Sequence, residues 1–465
     1  MVANMVANSA DTIVALATAP GKSGVGIIRL SGPASLQITQ NLGVGQLQTR
    51  RAKFSYFSLA DEVIDSGISL FFPKPNSFTG EDVVEIQAHG SPVTLKRLIR
   101  ECLKMGARLA EPGEFSQRAF LNGRIDLTQA EAIADLIASG SESAARAATK
   151  SLEGAFSKIV NSIAIQAVEL RKYVEASIDF AEEEIDFLSD GKIENALIKI
   201  ESEITECLEE GKRGQKLLDG LSLVILGAPN AGKSSLLNYF SGSDRAIVTD
   251  IAGTTRDTLS ETIDLDGLAI TITDTAGLNP SPDKVEEIGI KRALSSALKA
   301  DHLLIMFDAS KDDANSTLAL IEKYQPELAD KVSISLIANK IDLSQDTSGL
   351  WSEQDKPTQH QKNIPIYGTS LKENQGLKEV TQHLKDIAGL TDTEPAFSAR
   401  TRHIHALEAA LDHIDISLSL LRNEQAGELI AEELKLAHTQ LQGITGIFTT
   451  DDLLGEIFSS FCVGK

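Results

Sequence analysis

A chain of 465 residues has room for about three domains, each with a core of its own. Its 42% apolar and 24% charged residues are an ordinary globular balance, and no window reaches the roughly 18 apolar residues of a membrane span. A net charge of −22 opposes diffuse attraction to RNA phosphates, and three cysteines (Cys102, Cys207, Cys462) without paired metal-ligand spacing argue against a zinc or disulfide frame and for the reducing cytoplasm.

The opening Met1–Asn8 repeats itself without a basic flank, so it reads as a duplicated start or an unstructured lead-in and not as a signal peptide. From Thr12 to about Leu121, short alternating runs such as Val83-Val84-Glu85-Ile86 mix with Gly and Pro punctuation, predicting an α+β domain over 1–123. Two motifs in it are decoys. Gly21-Lys22-Ser23 has Leu16 where a P-loop needs its first glycine, and Gly24-x-Gly26 has Arg29 where a dinucleotide fingerprint needs its third. A flavin is therefore not expected on this chain by that route. Lys96, Arg97, Arg100, Lys104 and Arg108 recur on a short helical pattern, which is either a local RNA patch or a solvated helix face.

From about Ile125 the period changes to three and four. Leu152, Phe156, Ile159, Ile163, Ala167, Leu170, Val174 and Ile178 predict a long core-facing helix, and a further helix is expected over Ile193–Leu218. Together they form the first half of a helical domain, 124–217. Between them, Glu182-Glu183-Glu184 reads as a charged helix end.

At Leu221–Leu226 an apolar run feeds into Gly227-Ala228-Pro229-Asn230-Ala231-Gly232-Lys233-Ser234 and then a helical pattern from Ser235. A P-loop in this setting turns backbone N–H groups and a helix N-terminus toward phosphate oxygens; Lys233 neutralises the β- and γ-phosphates and Ser234 can ligate Mg²⁺. Next, Ile247–Asp257 has the composition of a mobile loop, in which Thr255 is the second Mg²⁺ hydroxyl. The run Ala269–Thr273 ends in Asp274-Thr275-Ala276-Gly277, a carboxylate for Mg²⁺ followed by a γ-phosphate sensor. The run Ser333–Ala338 ends in Asn339-Lys340-Ile341-Asp342. The Asp342 carboxylate can take two hydrogen bonds from guanine that adenine cannot give, which selects GTP. Ile364–Tyr367 leads to Gly368, Thr369, Ser370 and Leu371, a loop placed to touch the base. These elements predict an inserted Ras-like P-loop GTPase domain over 218–386 within a multidomain α/β chain.

Where the Ras-type scheme has a water-orienting Gln after Asp-x-x-Gly, this chain has Leu278, so another polar group must act or the protein is a slow switch. The carboxylates of Asp283–Glu287 are candidates, against a plain reading as a solvated acidic helix start. Arg256 is either an internal arginine finger or a solvent-exposed or ion-paired arginine.

After the insertion, Ile404, Leu407, Leu411, Ile414, Leu418 and Leu421, then Ile430, Leu434, Ala437 and Leu441, resume the helical stripe. Packing these against the earlier stripes makes one discontinuous helical domain, completed by 387–465. Cys462, beside Phe458 and Phe461, is on its own terms an incidental tail thiol.

Pro229-Asn230 with Gly253-Thr254-Thr255-Arg256-Asp257 resembles GTPases that replace a transition-state arginine with potassium. That resemblance assigns K⁺ to Asn230, Thr249, Ile251 and Thr254, and places Asp250, Ala252 and Gly253 in the same nucleotide loop. With Asp274–Leu278 and Val285-Glu286-x-Ile288-Gly289, and N-terminally with Asp11–Ala15, Gly24–Gly32, Ser77–Asp82, Pro112–Phe115 and Arg118–Gly123, the chain resembles the MnmE, or TrmE, family of tRNA-modifying GTPases over essentially its whole length. Its end, Phe461-Cys462-Val463-Gly464-Lys465, is similar to the family's short Cys-containing tail, with Val463 where Ile is usual.

The resemblance implies K⁺- and Mg²⁺-dependent GTP hydrolysis, with Glu286 positioning water. It implies a tetrahydrofolate one-carbon carrier at Arg29, Glu85, Arg124 and Lys465, Arg124 standing where the family often has Lys, and a functional part for Cys462. A flavoprotein partner of the MnmG type, bringing FAD, is expected in adding an aminomethyl-type or carboxymethylaminomethyl group to C5 of the wobble uridine of certain tRNAs. Homodimerisation is expected through the N-terminal domains and, with GTP, between GTPase domains. The alternative is a regulatory switch in ribosome assembly or stress signalling, which shares the central motifs but usually carries a basic RNA-binding module. A one-carbon transferase with a vestigial GTPase would need hydrolysis to be dispensable.

Overall fold

The computed structural model describes residues 11–60, 62–179, 191–241, 260–273, 298, 300–317, 319, 332–344, 346–351, 364–388, 396–423, 426–447, 451–459, 461 and 464. The chain divides into two units, Met1–Ala134 with Ser151–Ile204 and His405–Lys465, and Asp135–Lys150 with Thr205–Ile404.

In the first unit, β1 (Thr12–Leu16), β2 (Ser23–Ser31), β3 (Lys53–Leu59), β4 (Glu62–Phe72), β5 (Val83–Gly90) and β6 (Ala107–Leu109) form one sheet in the order β3-β4-β5-β2-β1-β6. Strands β2 to β5 pair antiparallel, whereas β6 runs parallel to β1. Val14, Ile28, Leu30, Phe57, Val84 and Ile86 point to a core that Ile38 of α1 (Ser35–Thr39) and Leu95, Leu98 and Cys102 of α2 (Pro92–Lys104) close. Ile13, Ala15, Ala110 and Phe115 of α3 (Glu114–Leu121) fill the other side of β1, as the alternation of side chains along a strand requires.

The decoy residues Lys22 and Ser23 lead into a strand and not into a helix. The basic row also divides: Arg108 lies on β6 and not on the helical pattern assigned to it. Three of its members face acids, Arg97 pairing with Glu62 at 2.5 Å, Lys104 with Glu101 at 3.0 Å and Arg108 with Glu114 at 2.6 Å. These pairings answer part of the positive charge locally.

The long apolar stripe becomes α6 (Ala155–Asp179). Leu152 ends the preceding helix, α5 (Glu142–Leu152), and Val160 takes the buried place expected of Ile159, which is 38% exposed. The predicted Ile193–Leu218 helix is α7 (Lys192–Asp219). The late stripes form α11 (Thr401–Asn423) and α12 (Gly427–Thr445), and α12 packs along α6. Leu454, Ile457 and Phe458 of α13 (Asp451–Ser459), with Phe461, pack on Leu127 and Ala130 of α4 (Leu127–Ala138).

In the second unit, β7 (Leu221–Gly227), β8 (Ser260–Leu265), β9 (Leu268–Thr273), β10 (His302–Asp308), β11 (Ser333–Asn339), β12 (Gly349–Leu350) and β13 (Ile366–Thr369) follow the order β12-β13-β11-β10-β7-β9-β8. The inner strands β9, β7, β10, β11 and β13 are parallel. They are apolar almost throughout, as strands covered on both faces must be. Leu236 and Phe240 of α8 (Lys233–Ser241) and Leu377, Val380 and Leu384 of α10 (Leu377–Ile387) cover one face. A short turn of helix, α9 (Ile341–Ser344), follows β11.

Among the described residues no helix is long and apolar enough to cross a membrane, and no three His, Cys, Asp or Glu residues cluster as a metal site. Cys102 and Cys207 are free and buried, and burial pushes both thiols up to about 12, too high for a reactive thiolate.

Candidate functional site

Parallel pairing aligns the carboxyl ends of the central strands. Gly227 stands opposite Met306, Asp308 opposite Asn339, and Asn339 opposite Thr369. The loops leaving these ends therefore gather at one edge, the usual ligand position of an open parallel sheet. A cleft of about 570 Å³ lies there, lined by Asn230, Gly232, Lys233, Ser234, Ser235, Asn339, Lys340, Asp342, Leu343, Leu371 and Lys372. All of these except Leu343 and Lys372 are nucleotide-site residues expected from the sequence. Ala231, Thr369 and Ser370, expected with them, sit on the same loops and bond to the cleft residues Asn339 and Asp342.

The loop geometry depends on two residues with left-handed backbone, Asn230 at φ 62° and Gly232 at φ 114°. A Cβ on Gly232 would lie 2.3 Å from Asn339 Nδ2, so a side chain there would displace the asparagine. Asn339 is 3% exposed and joins three loops: its Nδ2 donates to Ala231 O at 2.7 Å, and its Oδ1 accepts from Thr369 Oγ1 and Leu371 N, both at 3.4 Å. Lys233 Nζ donates to Gly227 O at 2.7 Å and Ala228 O at 3.1 Å, which holds the ammonium over the loop. Ser234 and Ser235 line the cleft at the start of α8, where N–H groups have no intrahelical acceptor. Positive charge and unsatisfied donors at one point suit phosphate.

On the side of the cleft built by β11 and β13, Ser370 Oγ donates to Asp342 Oδ1 at 2.8 Å and itself accepts from Glu373 N at 3.2 Å. The carboxylate is thereby held by its loop, and its remaining lone pairs are available to a base with two adjacent donors.

One residue that braces the site is not among those expected from the sequence. Asp308, at the end of β10, accepts from Lys340 Nζ at 2.7 Å and from Ser310 N and Oγ. Burial works against its charge, but these donors prevail and hold the carboxyl below its ordinary range. Lys340 has φ 67°, and the pairing fixes its long stem along the cleft wall. Thr249, Asp250, Ile251, Ala252, Gly253, Thr254, Thr255, Arg256, Asp274, Thr275, Ala276, Gly277, Leu278 and Glu286 lie outside the described residues, as do Glu182–Glu184, Cys462 and Lys465.

In the first unit Arg29 of β2 stands directly opposite Glu85 of β5, and the two are ion-paired at 2.9 Å. The guanidinium lies 5.7 Å from the Phe115 ring centre and 5.8 Å from that of Phe78, within cation–π range. Arg29 Nη1 also donates to Gly464 O at 3.4 Å, so the tail arrives at this pair across 435 residues of sequence. Arg124 is exposed, its stem against Gly80. The loop carrying Phe78 is fastened by Ser31 Oγ to Thr79 Oγ1, by Asn122 Nδ2 to Thr79 O, both at 2.7 Å, and by Arg118 to Glu81 at 3.1 Å.

Gly464 is buried at φ 96°, and a Cβ there would lie 2.2 Å from Leu16 O. Gly464→Ala is expected to unseat the tail at a cost of about 2 kcal/mol. Amide exchange in α13 should then rise by more than tenfold, about what that free energy allows; unchanged exchange would show that Gly464 is no anchor.

Residues 12–124 match the profile described as GTP-binding protein TrmE N-terminus, and residues 127–462 match that of the MnmE helical domain. The chain is 49% identical over 461 residues to the tRNA modification GTPase MnmE of Marinomonas sp. (strain MWYL1), covering 99% of both chains. It is 49% identical to that of Pseudomonas aeruginosa (strain UCBPP-PA14), over 98% of this chain and 99% of the relative, and 48% to that of Photobacterium profundum, with the same coverage. Among solved structures, a variant of Aquifex aeolicus Era bound to GDP·AlF4⁻ is similar over 42% of this chain and 66% of its own, at 22% identity and a TM-score of 0.27, too partial a likeness to bear on the assignment.

Proposed function

Because the chain belongs to the MnmE (TrmE) family, whose curated relatives are tRNA modification GTPases, we propose that it hydrolyses GTP with K⁺ and Mg²⁺ and couples hydrolysis to modification of tRNA. The observation that carries this reading is the cleft, in which the P-loop lysine and the Asp342 carboxylate line one cavity.

In the proposed reaction, Lys233 and the α8 N-terminus bear the phosphate charge and Asp342 reads the guanine edge. Water attacks the γ-phosphorus as the bond to the β–γ bridging oxygen breaks, releasing GDP and phosphate. Glu286 is our candidate for positioning that water, since Leu278 has no polar atom to do so. The hydroxyl and carbonyl donors assigned to the cations, Ser234 and Thr255 for Mg²⁺ and Asn230, Thr249, Ile251 and Thr254 for K⁺, are the hard oxygen ligands such ions take. When bound, the cations supply charge to the phosphates.

The finer steps of the proposal concern the one-carbon unit. Arg29, Glu85, Arg124 and Lys465 are assigned to a tetrahydrofolate carrier, with Cys462 on the same tail. An ion pair framed by the Phe78 and Phe115 rings, reached by the chain end, suits a ligand that is planar at one end and anionic at the other. A flavoprotein of the MnmG type would bring FAD, and the product would be an aminomethyl-type group on C5 of the wobble uridine. Work of this kind belongs to the cytoplasm.

Homodimerisation is supported by the edge strand β3. Phe54 and Tyr56 are 63% and 61% exposed, their rings packed edge to face at 5.5 Å, with the half-exposed Ile68 directly opposite Phe54. An exposed aromatic patch on an edge strand is a surface a second copy can cover.

The test is GTP turnover in K⁺ against Na⁺ at equal ionic strength. K⁺ is expected to stimulate the wild type about tenfold or more, with the stimulation lost in Asn230→Ala and turnover lost in Glu286→Ala, in line with the charge a bound cation contributes. Equal slow rates in both salts would sink the cation-assisted mechanism and favour a partner-activated switch.

A further inference from the structure

Asp264 does not line the cleft, yet it is a carboxylate with 5% exposure. Its Oδ1 accepts the Gly267 N–H at 2.6 Å and so closes the β8–β9 turn. Its Oδ2 accepts the N–H of Glu142, the first residue of α5, at 3.0 Å. A carboxylate facing a helix N-terminus satisfies an orphan donor and complements the helix dipole.

The two segments fit closely around this joint. A Cβ on Gly140 would lie 3.0 Å from Ala269 Cβ and 3.1 Å from Thr262 Cγ2, and one on Gly267, at φ 94°, would lie 2.6 Å from Ser143 Oγ. In the chain, β8 follows the segment that carries Thr255, and β9 ends at Thr273, immediately before Asp274. The hairpin therefore connects the two segments assigned to Mg²⁺ and the γ-phosphate, and α5 is followed in the chain by α6.

We propose that Asp264 is a positioning residue for the tRNA modification: it pins α5 to the β8–β9 hairpin, so that the nucleotide state sensed at Thr255 and Asp274 reaches the helices. The proposal rests on the reading of those two residues as nucleotide sensors in a GTPase coupled to modification.

Two variants strike the same hydrogen bond from opposite sides. Asp264→Ala removes the acceptor of both the Glu142 and the Gly267 N–H. Glu142→Pro deletes the donor itself at a first helical position, where proline is tolerated. Full-length chain, flavoprotein partner and tRNA are assayed for GTP turnover and for modified tRNA formed per GTP hydrolysed. Each single variant is expected to keep kcat and KM for GTP within about twofold while the yield per GTP falls about tenfold or more, and the double variant should fall no further, as for two partners of one contact. An unchanged yield per GTP in either variant, or a loss of turnover that accounts for the loss of product, overturns the assignment. Wild-type modification that proceeds equally well with a non-hydrolysable GTP analogue would instead overturn the coupled-GTPase reading on which it stands.

Discussion

Asp342→Asn is expected to lower GTP affinity about a hundredfold or more, because two charge-assisted hydrogen bonds to the guanine edge, worth roughly 1.5–3 kcal/mol each, give way to one neutral bond and one facing pair of donors. The carboxamide offers one acceptor, and its NH₂ faces a donor of the base. The Ser370 hydroxyl already engages Oδ1 at 2.8 Å, so the asparagine cannot turn away at no cost. A base with a carbonyl in place of the exocyclic amine, as in xanthosine triphosphate, accepts from that NH₂ and should bind the variant better than GTP does. Calorimetric titration with both nucleotides measures this. GTP affinity unaltered in the variant would remove Asp342 from base recognition.

Acid is expected to loosen the GTPase unit well before its carboxylates protonate. His302, at the start of β10, is fully buried, and neither ring nitrogen has a hydrogen-bond partner among the described residues. Burial pushes its pKa down to about 4, and the neighbouring His383 of α10, 5.7 Å away ring to ring, adds to the effect. His383 is itself shifted down by burial, with the Asp386 charge opposing, and its Nε2 shares a 2.7 Å hydrogen bond with Ser335 Oγ; Tyr367 of β13 stacks on it at 5.0 Å. The unfolded His302 titrates near 6.5. The folded state therefore keeps its full contribution above that pH and loses it as pH falls from 6.5 toward 4, about 3 kcal/mol in all.

The single tryptophan, Trp351, lies in the core that also holds Leu303 and Ile305, so its fluorescence reports unfolding of this unit. Denaturant midpoints should fall between about pH 7 and pH 5 in the wild type and fall less in His302→Phe, since the variant lacks the most strongly shifted of these imidazoles and keeps only the smaller contribution of groups such as His383. The same slope in both proteins would mean that His302 is not the titrating group.

The parts of the site that are legible in the sequence share a local mark: an apolar run stops and a polar pattern begins, as at Gly227, Asn339 and Thr369. Parallel strands end that way because their loops leave the core at one edge. Asp308 stops such a run too, but its meaning comes from β10 lying beside β11, an adjacency that no local pattern encodes. The helical pattern misplaces Arg108 because a three-residue strand is too short to show a period. Ile159 and Val160 are neighbours on an apolar stretch, and which one faces inward depends on how α6 meets α12. Helix limits read from periodicity fare better, since the Ile193–Leu218 prediction differs from Lys192–Asp219 by one residue at each end. The seat of Gly464 against Leu16 is invisible in the sequence for the same reason as Asp308.

The pairing of α6 with α12 also sets a timetable for synthesis. A ribosome finishes α6 about 250 residues before it reaches α12, which at roughly 5–20 residues per second is some ten to fifty seconds. Throughout that interval Phe156, Val160, Ile163, Ala167 and Val174 lack the Ile430, Leu434, Ala437 and Leu441 surface that completes their bundle. The nascent helix carries its sticky side through the emergence of an entire GTPase unit, so chaperone demand should peak before the last helices emerge. A premature stop near the end of the message would strand a face made near its beginning.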